Sequence, residues 1–326
     1  MGCFRSMRTA GFGSAVILFG LALSLFLGSV LSPRLALAEP VAVTTSILPL
    51  GDFARQVGGE NVVVTVLVPP GQNPHILNFK PSDLHGLSRA RLLLLNGLGL
   101  EFWAKKLVEA VQNPQLVVLQ CAESWADQME KEEGHGMSQS QGKGGHDPHG
   151  DHGHEEHGGV DPHVWLDPVA AMTLVACVRD GLVRVDPDHA AEYRQRAEKY
   201  LTQLKTLHHD FERTLSKARQ RTFISFHEGY GHLARRYNLR GLGVVEGFSE
   251  LEPSPARLAK VIREVRRLKA KVIFAEPQFS AKSATTIAQE TGARVAFLDP
   301  LGQSAEDGYL KMMRRNLTEL QKALVD

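Results

Sequence analysis

Twice along the chain, short runs rich in Val, Ile and Leu alternate with amphipathic stretches, and a long glycine-free segment separates the two passages. In the first passage VAVTT (41–45), VVVTVLV (62–68), RLLLLN (91–96) and QLVVLQ (115–120) read as buried strands. LGDFARQV, PSDLHGLSRA and LEFWAKKLVEA read as the helices between them. In the second passage the strands are RTFISF (221–226), LGVVE (242–246), KVIFAE (271–276) and ARVAFLD (293–299). Helices are expected near 229–237, 255–269, 281–290 and 306–324. Strand and helix in alternation imply parallel sheets covered on both faces. The expected fold class is α/β, with two (βα) lobes, 39–185 and 220–326.

The separating segment, 186–219, contains no proline after Pro187. Asp186 can cap a helix, Pro187 suits its first turn, and Tyr193, Ala197, Leu201, Leu204 and Leu207 recur at helical spacing. A helix of about 30 residues spans about 45 Å. One rigid helix between the lobes argues against a loose hinge.

Residues 1–38 stand apart. Arg5 and Arg8 precede an apolar run near Ala15–Leu31, and Ala36-Leu37-Ala38 follows it. This is the pattern of a secretory signal cleaved before Glu39, with an uncleaved anchor as the other reading. No cysteine stands at the cleavage point, so a lipid anchor is disfavoured and a periplasmic location is expected. The remaining residues carry 34 basic and 36 acidic side chains, a formal net charge of −2. Such a balance offers no basic face for nucleic acid. Cys121 and Cys177 remain after cleavage. An oxidising compartment permits a bridge, but Cys177 lies in the apolar helical pattern AAMTLVACV, which favours a buried free thiol.

From about Ala126 to Gly159 the composition shifts to Gly, His, Glu, Gln and Ser, with almost nothing to bury. The expectation is a mobile surface loop, about 126–160, inserted into the first lobe. Its histidines, His135, His146, His149, His152, His154 and His157, have no scaffold that builds a tetrahedron in advance, so any metal sites there should be weak.

In open α/β sheets ligands bind beyond the carboxyl ends of the strands. His75 follows VVVTVLV through PPGQNPH, and His227 directly follows RTFISF. Asp299 ends ARVAFLD, and His163, in VDPHVWLDP, precedes a helix. These four, two from each lobe, can meet in the cleft between lobes. Three imidazoles and one carboxylate suit Zn2+ in a closed tetrahedron, whereas calcium or magnesium wants oxygen ligands. Copper(II) and nickel also accept imidazole. Asp161, Asp167 and Glu228 lie beside ligand positions and can orient imidazoles or serve as caps. The role of Glu276 is left open.

Two motifs are excluded. HEGYGH (227–232) places its histidines five apart, not the four that let both face one metal in zinc proteases. NGLGLEFW (96–103) lacks the third glycine of a dinucleotide loop and reads as a tight turn.

The stretches PPGQNPHILNFKPSDLHGLSRARLLLLNGLGLEFW, DPHVWLDP, DPDHAAEYRQRAEKYLTQL, FISFHEGYGHLARRYNLRG and EPSPARLAKVIREVRRLKAKVIFAEPQFS resemble the metal-binding substrate-binding proteins of bacterial ABC transporters. The resemblance covers essentially the whole chain after residue 38. It implies two lobes on one backbone helix, one metal site between them, and delivery of the ion to a membrane permease. Family ligand positions fall on His75, His163, His227 and Asp299. Histidine at the third position and the histidine-rich insert mark the zinc branch. Manganese-type members usually place Glu there. The C-terminal half lacks the cysteine pair of some zinc members. The implied protein is a zinc-capturing monomer and not an enzyme. A manganese or broad divalent-metal protein is the alternative, and a zinc hydrolase, metal buffer or adhesin carries less weight.

Overall fold

The first lobe is built on four parallel strands: β1 (Val41–Thr45), β2 (Val62–Val66), β3 (Leu92–Leu95) and β4 (Val117–Gln120), in the order β2-β1-β3-β4. The computed structural model describes residues 1–2, 39–77, 80–134, 160–225, 227–243, 255–277, 281–304 and 306–326. Apart from Met1 and Gly2, the proposed signal lies outside the described residues, as do the six histidines of the insert. Helices α1 (Leu48–Gly58), α2 (Pro81–Arg89) and α3 (Ala104–Val111) make the crossovers. β3 is LLLL and buried along its length, as a central strand covered on both faces must be.

The second lobe repeats the plan with β5 (Thr222–Ser225), β6 (Arg240–Gly243), β7 (Val272–Ala275) and β8 (Arg294–Phe297), ordered β6-β5-β7-β8 and again all parallel. The strand expected at 242–246 begins two residues earlier, because Arg240 pairs with Thr222 and its N–H bonds to the Arg221 carbonyl.

Between the sheets run α5 (Pro168–Val185) and α6 (Ala190–Leu215), the latter led in by a 3-10 turn at Pro187–His189. At 1.5 Å per residue α6 is about 39 Å long. It buries Tyr193, Ala197, Tyr200, Leu204, Leu207, Phe211 and Leu215, a stripe at helical spacing. Asp167 caps α5 by accepting from the Val169 N–H at 2.9 Å. Gly181 lets α5 approach the first sheet closely, since a Cβ there would stand 2.8 Å from Leu119.

One continuous core joins the lobes. It runs from Val43 and Leu93 in the first sheet through the α6 stripe to Phe223 and Phe274 in the second, to Leu298 just past β8, and to α10 (Tyr309–Leu324). A smaller cluster, including Ile224, Val261, Ile273 and Ile287, fills the far face of the second sheet under α8 (Pro255–Leu268) and α9 (Ala281–Thr291). A short helix, α7 (Gly231–Arg236), follows His227. Among the described residues no helix is long and apolar enough to cross a membrane.

Two expectations need correction. Residues 123–134 form a helix, α4, so part of the stretch expected as loop is ordered. Trp125, Ala126 and Met129 turn one side of it onto the core, an apolar set too sparse to stand out from the polar composition. Cys177 is not a free thiol: it is bonded to Cys121, with Cα atoms 5.5 Å apart. The apolar pattern correctly turns Cys177 toward the sheet. What faces it there, a second cysteine just past β4, is a tertiary fact that periodicity does not carry.

Candidate metal centre

His75, His163 and His227 converge, with one ligand atom from each within 4.8 Å of the others. The Nε2 atoms of His75 and His163 are 3.3 Å apart. A tetrahedral zinc with bonds of about 2.0–2.1 Å needs ligand atoms about 3.3 Å apart. The rings enclose a cavity of about 20 Å³, lined also by Asn73, Pro74, Glu276 and Pro300. That volume holds one ion or water, whereas organic ligands fill pockets of about 300 Å³ or more.

Each histidine is fixed by its own neighbourhood. The turn after β2 is held where Asn73 Oδ1 accepts from the His75 N–H at 3.0 Å and Trp103 Nε1 donates to the Pro74 carbonyl at 2.9 Å. Asp161 Oδ1 accepts from the His163 backbone N–H at 3.0 Å and lies 2.7 Å from Nδ1 of the same residue. A proton on Nδ1 leaves the Nε2 lone pair free for a metal, the carboxylate–histidine arrangement of zinc sites. Ser225 Oγ donates to the His227 carbonyl at 2.8 Å, and Glu276, buried at the end of β7, stands 3.4 Å from His227 Nδ1.

Contacts between lobes hold the His163 segment in place. His232 Nε2, on α7, donates to the Asp161 carbonyl at 2.8 Å. Trp165 Nε1 donates to the Pro300 carbonyl at 2.6 Å, and Tyr309 Oη to the Trp165 carbonyl at 2.7 Å. Arg236 pairs with Asp167 at 2.8 Å. On the first-lobe side, Asn96 Nδ2 donates to the Pro162 carbonyl at 2.8 Å. Asn96 opens the turn NGLGLEFW, where Gly97, Leu98 and Gly99 all take positive φ. The buried Glu101 carboxylate accepts from the N–H groups of Asn96 and Gly97, and burial raises its pKa. The glycines thus serve a tight strand-to-helix turn, as expected.

Burial pushes the His75 imidazole from 6.5 down to about 2, and the His163 and His227 rings push the same way. Burial also lowers His163, against the upward pull of its bond to Asp161. Burial alone would raise the Asp161 carboxyl, but its bonds to His163 outweigh this and hold it below the usual range. The result at neutral pH is unprotonated imidazole beside ionised carboxylate, the state that coordinates a cation.

Asp299 stands outside the histidine group. Its Oδ1 accepts from the N–H groups of Leu301 and Gly302 at 3.1 and 2.8 Å, and its Oδ2 is 3.7 Å from the Arg315 guanidinium. Its backbone is clamped by Asn316. Of the expected orienting acids, Asp161 faces His163, Asp167 is a helix cap paired with Arg236, and Glu228 is exposed. Glu276 is the acid beside His227. Its position directly after a buried strand was the available signal.

A family model described as "Zinc-uptake complex component A periplasmic" matches residues 43–323. The chain is 32% identical over 294 residues to the high-affinity zinc uptake system protein ZnuA of Bacillus subtilis, covering 88% of each. It is 30% identical to the manganese-binding lipoprotein MntA of Halalkalibacterium halodurans, covering 86% of this chain and 87% of that one. Among solved structures it resembles a zinc-bound ZnuA deletion mutant, at 30% identity and TM-score 0.70, over 88% of this chain and 99% of that one. The Zn(II)-bound ZnuA-like domain of Streptococcus pneumoniae AdcA gives 26% identity and TM-score 0.69, over 88% of this chain and all of that one. The chain belongs to the ZnuA family, the periplasmic component A of zinc-uptake complexes.

Proposed function

We propose that this chain is the zinc-capturing component of an ABC-type uptake system, binding Zn2+ between its lobes outside the cytoplasm and passing it to a membrane permease. The observation that carries this reading is the convergence of three buried imidazoles on an ion-sized cavity. His75, His163 and His227 are its ligands, and Asp161 and Glu276 orient His163 and His227. Asp299 is the fourth ligand once its loop, which adjoins Pro300 and Leu301 of the cavity wall, turns inward on the ion. A full set of protein ligands and a cavity without room for an organic substrate favour carriage over hydrolysis. His135, His146, His149, His152, His154 and His157 add weaker capture sites. The chain acts as a monomer, secreted and freed of residues 1–38.

Titration calorimetry of the chain with zinc and with manganese tests this. One tight zinc site is expected, lost in His163→Ala and weakened in Asp299→Ala. Tight binding that survives His163→Ala would overturn the assignment. Preference for manganese would favour the second reading, to which the similarity to MntA points.

A further inference from the structure

The structure assigns a second divalent-metal site to α6, the helix joining the lobes, with His208, His209 and Glu212 as its ligands. One ligand atom from each lies within 4.8 Å of the others. His208 Nε2 is 3.5 Å from Glu212 Oε2, and His209 Nδ1 is 3.2 Å from the same oxygen. Both distances are close to the roughly 3.3 Å edge of a zinc tetrahedron. The spacing explains why: residues four and three apart share a helix face, so both rings reach one carboxylate.

The site is partly organised in advance. His208 is half-buried, and its Nδ1 lies 3.1 Å from the hydroxyl of Tyr237, at the C-terminal end of α7. Tyr237 itself stacks on Phe211, with ring centroids 5.1 Å apart. When Nδ1–H donates to that hydroxyl, the Nε2 lone pair faces Glu212. This is the outer-shell hydrogen bond that fixes a ligating imidazole. Glu212 and His209 are exposed, at 54% and 73%, so an ion can reach them directly and water completes its coordination. Two imidazoles and one carboxylate select a borderline cation of the zinc type over calcium or magnesium. Exposure and the need to order His209 make this site weaker than the interface site. Its three residues belong neither to that site nor to the histidine-rich insert.

Zinc titrated into the full chain beyond the first equivalent is expected to shift the imidazole resonances of His208 and His209 together. The variant His209→Ala/Glu212→Gln should bind one zinc fewer in equilibrium dialysis, with unchanged far-UV circular dichroism. Both substitutions are on exposed helix surface, so the fold should survive them. If further zinc binds without moving these two resonances, or if the variant binds as much zinc as the parent, the site does not exist.

Discussion

His75 is 7% exposed and faces two other imidazoles, so the folded chain refuses it a proton that the unfolded chain accepts near pH 6.5. The sign follows from linkage. A group whose pKa is lowered by folding keeps its contribution above the unfolded value and loses it as pH falls toward the folded one. Metal-free protein should therefore lose stability as pH falls below 6.5, with His75 and His163 both contributing. Melting temperatures between pH 7.5 and 5 should fall less steeply for His75→Asn than for the parent. Parallel slopes would mean that His75 is not held neutral. By the same shift, protons compete with zinc at His75 and His163 only at lower pH than they would at free imidazole. Asp161→Asn removes the charge behind His163 and should weaken zinc binding about 10–100-fold, read by competition against a chelating dye. Unchanged affinity would leave Asp161 as a backbone clamp alone. That the three histidines come together was legible, because each follows a strand or precedes a helix at the sheet ends. The position of Asp299 outside the histidine group was not, because it depends on Arg315 and on the amides of Leu301 and Gly302.

At the scale of elements, the alternation of apolar strands and amphipathic helices was enough to read both sheets, and glycine-free spacing was enough for α6. Failures fell where a local pattern meets a tertiary partner. Polar composition hid α4, whose few apolar residues matter only against the core, and the free-thiol reading of Cys177 missed Cys121 across the packed layer. That bridge ties the end of the edge strand β4 to the middle of α5. Closing a loop of 56 positions is worth about 4 kcal/mol in the chain-entropy treatment. Cys121→Ser/Cys177→Ser should lower unfolding stability by about that much in urea titrations while leaving the zinc affinity unchanged. A loss of affinity along with stability would mean that the bridge also shapes the site.

For the whole molecule, the decisive fact is that one core runs through both sheets and α6. Separating the lobes would expose Tyr193, Phe211 and Phe223, so wide opening of the kind seen with flexible strand hinges is disfavoured. Zinc binding and release should move the loop bearing Asp299 rather than the lobes or the clamped His163 segment. The radius of gyration in solution scattering is expected to be the same with and without zinc, and a clear contraction on loading would contradict the shared core. Deleting 135–158 should lower the number of zinc ions bound while leaving the tight interface site intact.

The bond between Cys121 and Cys177 also makes a covalent ring of the chain between them. Both His163 and every histidine of the insert are members of that ring. A protease that cuts once between those cysteines opens the ring without dividing the molecule, and the fragment carrying His163 stays attached to the first lobe. Such nicked protein should run as one band on a non-reducing gel and as two after reduction. It should still bind zinc at the interface until the bridge is broken.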